Sequence, residues 1–255
     1  MKKYKGYLID LDGTMYRGNE VIPEAVPFVK QLAERNIPYV FVTNNSTKST
    51  QDVAEKLNRL GIQANHKQVV TSSMATAKYL KDQSVKTCYC IGQSGLKDPI
   101  KEQGIQLVDS TDADAVVVGL DKDITYDKLA TACIAIRNGA QFISTNRDHA
   151  IPIEAGMGPG NGAFTALVQT STQQEPIFIG KPDIIIMQEA LDVLGLPKED
   201  VVMVGDNYQT DIQSGFNADV DTLFVHTGVT SKEELATFEK QPAYIIENLS
   251  EWTLE

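Results

Sequence analysis

Asp10, Asp12, Thr43, Lys181, Asp206 and Asp211 lie at the ends of four apolar runs in this 255-residue chain. The runs are YLIDLDGT at 7–14, VFVTNNS at 40–46, IFIGKP at 177–182 and VVMVGDNYQTD at 201–211. Each is rich in β-branched or aromatic residues and then switches to Asp, Thr, Lys or Gly. In a parallel α/β sheet such a switch falls at the carboxyl end of a buried strand, where these folds place their ligands. Gathered there, carboxylates, a hydroxyl and an ammonium make a set suited to phosphate and a metal ion.

The chemistry asks for each of these groups. A phosphate dianion repels an anionic nucleophile, and its uncatalysed hydrolysis is among the slowest reactions enzymes accelerate, by up to ~10²¹-fold. A carboxylate such as Asp10 can attack phosphorus and split the hard step in two through an aspartyl-phosphate. That attack needs cations on the phosphoryl oxygens. Mg²⁺ takes a few carboxylates together with phosphate oxygens and water, and Asp10 with Asp206 would supply them. Lys181, the one cation inside the four runs, would offset further charge. Asp12, with Gly13 behind it to let the backbone turn away, would protonate the leaving oxygen and then deprotonate water. General acid–base help is worth ~10²–10⁴, so positioning and electrostatic stabilisation must carry most of the rest.

Singly, each residue has a plainer reading. Asp10 could be a turn former, Thr43 a helix N-cap, Lys181 a solvated charge, and Asp206 with Gly205 a turn. Asp-x-Asp-Gly also opens calcium loops, but the twelfth position is Val21 rather than Glu, and Tyr16 and Gly18 fill two other ligand places. All four runs in order favour the catalytic reading.

These side chains need a framework to hold them. The pattern predicts strand 5–10, an amphipathic helix near 24–35, strand 37–43 and a helix near 47–60 closed by Gly61. Alternation continues through AVVVGL at 115–120, a helix over 125–138 and QFIST at 141–145, and IFIG then opens the segment bearing Lys181. Pro182 is expected at the start of the next helix and Gly195 at its end. A short helix, DTLFV at 221–225 and a terminal AYIIE follow VVMVGD. This rhythm predicts an α/β fold with a doubly wound, mostly parallel sheet. If all four runs share that sheet, residues 1–78 and 177–255 form a discontinuous core and 79–176 an inserted α/β domain.

Taken together, DLDGT at 10–14, Thr43 after VFV, GKP at 180–182 and GDNYQTD at 205–211 resemble the four motifs of the haloacid dehalogenase superfamily. The long stretch between Thr43 and Lys181 resembles the C2-capped subgroup, the NagD-like or nitrophenylphosphatase-like phosphatases. So do the NNS after Thr43, GLD at 119–121 followed by Tyr126, TNRD at 145–148 and PGNGAF at 159–164. The resemblance spans nearly the whole chain and implies a role for each position. Asp10 is then the nucleophile and a metal ligand, and Asp12 the general acid/base with its carbonyl on the metal. Thr43 anchors phosphate with the backbone of Asn44, and Asn45 belongs to the same phosphate-binding turn. Lys181 neutralises charge, Asp206 completes the metal site, and Asp211 orients Asp206 or Lys181. The cap would lean over the site, making Asn146, Asp148 and Asn161 candidates for leaving-group contacts or, equally, turn and capping residues. The implied activity is a Mg²⁺-dependent phosphatase of small monoesters: sugar phosphates, nucleoside monophosphates or nitrophenyl phosphate.

Two rival classes share parts of this set. A receiver-type signalling module uses an Asp, a Thr/Ser and a Lys around Mg²⁺, but is near half this length and carries its acceptor on a middle strand. A dehalogenase needs no metal, which leaves Asp12, Asp206 and Asp211 without work. A non-catalytic phosphometabolite-binding protein would not need the intact acid set. In GMGPGNGAF, Gly158, Gly160 and Ala163 match a dinucleotide fingerprint in spacing only; a loop entering the last cap helix is the expectation.

Composition narrows the setting. Hydrophobic content is 42%, charged content 22% and net charge −11, a balance that argues against nucleic acid as partner. It also means that an anionic substrate is drawn by the local site and not by the global field. No apolar run reaches the ~20 residues of a membrane helix, and Asp10 and Asp12 interrupt any signal-peptide core after Lys2 and Lys3. Cys88, Cys90 and Cys133 form neither a disulfide framework nor a zinc-spaced set, so a reducing cytoplasm is expected. A small phosphorylated metabolite is the expected partner, no membrane is, and a homo-oligomer is compatible with the sequence.

Overall fold

In the computed structural model, residues 2–153 and 155–254 are described. Met1 and Glu255, the outer bounds of the expected core, lie outside the described residues together with Glu154. Two compact units divide the chain, one of 1–43, 50–70 and 181–255, the other of 44–49 and 71–180.

The first unit begins with β1 (Gly6–Ile9), buried throughout because Tyr7, Leu8 and Ile9 all point into protein. A short hairpin follows, β2 (Tyr16–Arg17) against β3 (Glu20–Val21), turned by Gly18 at φ 59°. Helix α1 (Ala25–Glu34) buries Phe28, Val29 and Leu32, and leads to β4 (Tyr39–Thr43). Helix α2 (Thr50–Arg59) buries Val53, Ala54 and Leu57, and Gly61 at φ 81° ends it, as expected of a residue without a Cβ. Strand β5 (Val69–Thr71) completes the amino-terminal half of this sheet.

The second unit opens on α3 (Ser72–Asp82), then β6 (Thr87–Ile91), α4 (Ser94–Glu102), β7 (Gln106–Leu107) and β8 (Ala115–Val118). Helix α5 (Tyr126–Arg137), capped by the Thr125 hydroxyl, is followed by β9 (Gln141–Ser144). A hairpin of β10 (Ala150–Ile153) and β11 (Gly156–Pro159) precedes α6 (Asn161–Thr172) and β12 (Ile177–Phe178). Its main sheet is five-stranded and parallel, in the order β12-β9-β8-β6-β7.

The chain then re-enters the first unit with α7 (Ile184–Leu194), β13 (Val201–Gly205), α8 (Gln213–Asn217), β14 (Asp221–Val225), α9 (Lys232–Leu235) and β15 (Tyr244–Ile246). The six-stranded sheet has the order β15-β14-β13-β1-β4-β5. Strand β1 pairs in parallel with both β13 and β4, placing Ile9 beside Val204 and Phe41. The expected α/β, mostly parallel architecture is therefore present.

Two local expectations change. IFIG does not extend the first unit's sheet: Ile177 and Phe178 pair with Ile143 and Ser144 of β9. An apolar run states that a strand is buried, not which sheet buries it. The compact units meet at 70/71 and 180/181, with 44–49 joining the second, where α3 lies with α4 and β12 with β9. Pro182 does not begin α7 either. Asp183 is extended (ψ 151°) and takes the N-cap, so the first helical residue is Ile184.

Candidate active site

Strand order in the first unit reverses between β1 and β13, and such a reversal opens a crevice at the carboxyl ends of the two strands. Asp10 follows β1 and Asp206 follows β13. The backbone N–H of Asp10 donates to the Val204 carbonyl at 2.9 Å, so the sheet ladder itself sets the spacing of the two acids. Thr43 ends β4 on the other side of β1.

Asp206 is fully buried and held through both oxygens. The Thr14 hydroxyl donates to Oδ1 at 2.7 Å, and the Val229 N–H donates to Oδ2 at 2.7 Å. Gly13, at φ 97°, and Gly228 lie so close that a Cβ at either would collide with this carboxylate. The Thr227 hydroxyl donates to the Gly13 carbonyl at 2.7 Å and ties the two flanking loops together. Thr14, Thr227 and Gly228 were not singled out by the sequence; only the Thr of DLDGT offered a signal.

Asp211 reaches back from a π-helical turn over Tyr208–Ile212. Its Oδ2 accepts the N–H groups of Asp206 (3.2 Å) and Asn207 (3.0 Å), and its Oδ1 accepts Lys181 Nζ at 2.8 Å. Lys181 is 2% exposed and also donates to Asp10 Oδ1 at 2.5 Å and to the Val42 carbonyl at 3.0 Å. Three segments far apart in sequence thus meet on one ammonium.

The charge balance is uneven. Asp10, Asp206 and Asp211 present oxygens within 4.8 Å of one another, with one lysine among them. Burial, and then the Asp211 charge, raise the Asp10 carboxyl well above the usual range against the pull of Lys181. Burial and Asp211 likewise push Asp206 up to about 7. For Lys181, burial favours the neutral amine, but Asp10 and Asp211 reverse this and hold the ammonium above its usual range. Surplus negative charge and an all-oxygen donor set fit a hard divalent cation. Asp10 and Asp206 could hold it, because Asp211 is already engaged by Lys181 and two N–H groups.

Asp12 has an exposed side chain that nonetheless sits close against protein, and loss of water raises its carboxyl. Lys56, and a hydrogen bond from the Gly18 backbone, act in the opposite direction.

The remaining candidates are tied within the second unit. Asn44 Nδ2 donates to Asp148 Oδ1 at 3.1 Å, while the Asn44 carbonyl accepts Ser72 Oγ (2.7 Å) and Asn146 Nδ2 (2.9 Å). Asn45 Oδ1 closes a turn by accepting the N–H groups of Thr47 (2.9 Å) and Lys48 (3.0 Å). Asn161 is buried, and its Nδ2 donates to Ser144 Oγ and the Asn146 carbonyl, both at 3.0 Å. Asn146, Asp148 and Asn161 thus take part in a side-chain hydrogen-bond network within the second unit. The glycine-rich stretch likewise supplies β11 and the Gly160 N-cap of α6.

Known proteins resemble this chain along nearly its whole length. A haloacid dehalogenase-like hydrolase model matches residues 7–106, and a HAD-hydrolase-like model matches 178–252. The acid sugar phosphatase of Staphylococcus saprophyticus is 53% identical over 98% of this chain and 97% of its own length. The 5′-nucleotidase YutF of Bacillus subtilis is 52% identical over 99% and 98%. A mutant of the thermostable p-nitrophenylphosphatase of Bacillus stearothermophilus superposes with a TM-score of 0.91 at 53% identity, covering both chains completely. The chain belongs to the haloacid dehalogenase-like hydrolases. Within them it is a NagD-like, nitrophenylphosphatase-like member.

Proposed function

We propose that the protein hydrolyses small phosphate monoesters with Mg²⁺ through an aspartyl-phosphate on Asp10. That it is a phosphatase of its family rests on relatives at half identity along the whole chain. The observation that carries the mechanism is the buried trio of carboxylates, two of them bonded to a single ammonium.

In this reading an Asp10 oxygen attacks phosphorus. Lys181 holds that carboxylate in place and offsets charge on the phosphoryl oxygens. Thr43 and the Asn44 backbone anchor the phosphate. Asp12 gives its proton to the departing oxygen, then takes one from the water that releases Asp10. Asp10 and Asp206, with the Asp12 carbonyl, would hold Mg²⁺, which when bound supplies the remaining positive charge for the phosphate. Thr14 and Val229 keep Asp206 oriented, and Asp211 keeps Lys181 oriented.

Half-identical relatives carry the names acid sugar phosphatase and 5′-nucleotidase, which supports sugar phosphates and nucleoside monophosphates as the substrate class. Nitrophenyl phosphate serves as the reporter. A cytoplasmic setting is supported by three free cysteines. Among the described residues no helix is long and apolar enough to cross a membrane.

The test is p-nitrophenyl phosphate turnover with Mg²⁺, with EDTA, and in Asp10→Asn. Turnover should require Mg²⁺ and fall at least about 10³-fold in the variant, as when a nucleophile is removed. Turnover that survives chelation would overturn the metal assignment, and an active Asp10→Asn would overturn the nucleophile.

A further inference from the structure

Lys56 is a half-buried lysine that the chemistry above leaves unused. It stands on α2 between Val53 and Leu57, which belong to the core of the first unit. Its ammonium lies 3.6 Å from the centre of the Tyr16 ring. Burial disfavours the charged form of this lysine, and Asp12 favours it.

Tyr16 is 6% exposed and joined to the Asp10–Gly13 turn by its backbone. Its carbonyl accepts the Gly13 N–H at 2.7 Å, its N–H donates to the Leu11 carbonyl at 3.2 Å, and Asp12 forms a β-bridge with it. The ring of Tyr16 and the backbone of Asp12 are thus parts of one turn. A cation on that ring ties the turn to α2.

We propose that Lys56 is a positioning residue for proton transfer by Asp12, acting through the face of Tyr16. The inference rests on the reading of Asp12 as general acid. In the step concerned, the Asp10 oxygen–phosphorus bond forms while the bond from phosphorus to the leaving oxygen breaks. The Asp12 proton passes to that departing oxygen. A misplaced Asp12 therefore matters most when the leaving group cannot depart as an anion.

The leaving group itself supplies the test. p-Nitrophenolate departs without a proton, whereas the alkoxide of glycerol 2-phosphate needs one. kcat/KM reports events up to this departure, so it is measured for both substrates in Lys56→Met, Lys56→Arg and Asp12→Asn with saturating Mg²⁺. Lys56→Met should lose about tenfold more with glycerol 2-phosphate than with p-nitrophenyl phosphate, the order expected for one cation–π contact. Lys56→Arg, which restores a cation over the ring, should recover most of that loss. Equal losses with both substrates, or an Arg variant no better than Met, would overturn the proposal. Asp12→Asn should show the same discrimination more strongly. If it shows none, the general-acid reading fails first and takes this inference with it.

Discussion

Both units carry a parallel sheet whose strand order reverses, one between β1 and β13, the other between β6 and β8. Each reversal parts two loops at the carboxyl ends of the strands. Beyond β13 and β1, three buried acids gather around one lysine drawn from far along the chain. Beyond β8, Asp121 is also buried, at 2% exposure, but Lys128 meets it at 2.7 Å and takes the Asp123 carbonyl at 2.8 Å as well. In that crevice the buried acid is paired with a lysine of its own. The other keeps a surplus of negative charge. Topology offers the position, and the unbalanced charge gives it chemistry.

The sharpest way to break this contrast is Lys181→Met in metal-free protein. It removes the cation bonded to two of three clustered buried carboxylates, and urea unfolding should register a loss of about 3–5 kcal/mol. A loss below about 1 kcal/mol would mean that the acids do not depend on the lysine. Mg²⁺ tests the surplus directly. At about a hundred times its Kd it should stabilise the wild type by about 2.7 kcal/mol, read as a rise in Tm, and Asp206→Asn should lose most of that gain. An undiminished gain would place the ion elsewhere. In the other crevice, Lys128→Met strands the Asp121 carboxylate and should cost about 1–3 kcal/mol, with p-nitrophenyl phosphate turnover kept. A collapse of turnover there would erase the distinction between the two crevices.

The smallest effect is an acid limb of stability. Asp114 Oδ2 accepts the N–H groups of Thr87 (2.8 Å) and Lys86 (2.9 Å), and these hold its carboxyl below the usual range. A depressed folded value means that the contribution is complete above pH ~4, the unfolded value, and is lost as pH falls through the folded one. Because the group is exposed, Asp114→Asn should flatten the stability curve below pH ~4 by only a few tenths of a kcal/mol. An unchanged curve would remove Asp114 from the account.

Much of this was legible in sequence where signals are local. The ends of β1, β4 and β13 and the Gly61 and Gly195 stops all follow from neighbouring residue types. The Asp10, Lys181 and Asp206 cluster was legible because four runs share one order. Pairing partners were not, since Ile177–Phe178 reads like any buried strand until β9 claims it. The β2–β3 hairpin carried a usable cue in Gly18-Asn19, a two-residue link of the kind that suits tight turns. Asn146, Asp148 and Asn161 could not be sorted from sequence, because a buried hydrogen-bond network and a ligand contact call for the same side chains. Lys56 was invisible for a different reason: its partner is the face of an aromatic ring.

The discontinuity of the first unit has a consequence for the order of events on the ribosome. Asp10 and Lys181 are 171 residues apart, roughly 10–30 s of synthesis at bacterial-type elongation rates. Through that interval β1 has β4 on one side and nothing on the other, because β13 has yet to be made. The second unit, by contrast, is almost contiguous and has all its strands before β13 exists. A chain ending near residue 180 and free of the ribosome would therefore hold every strand of the second unit's sheet and an open β1 edge available for mispairing.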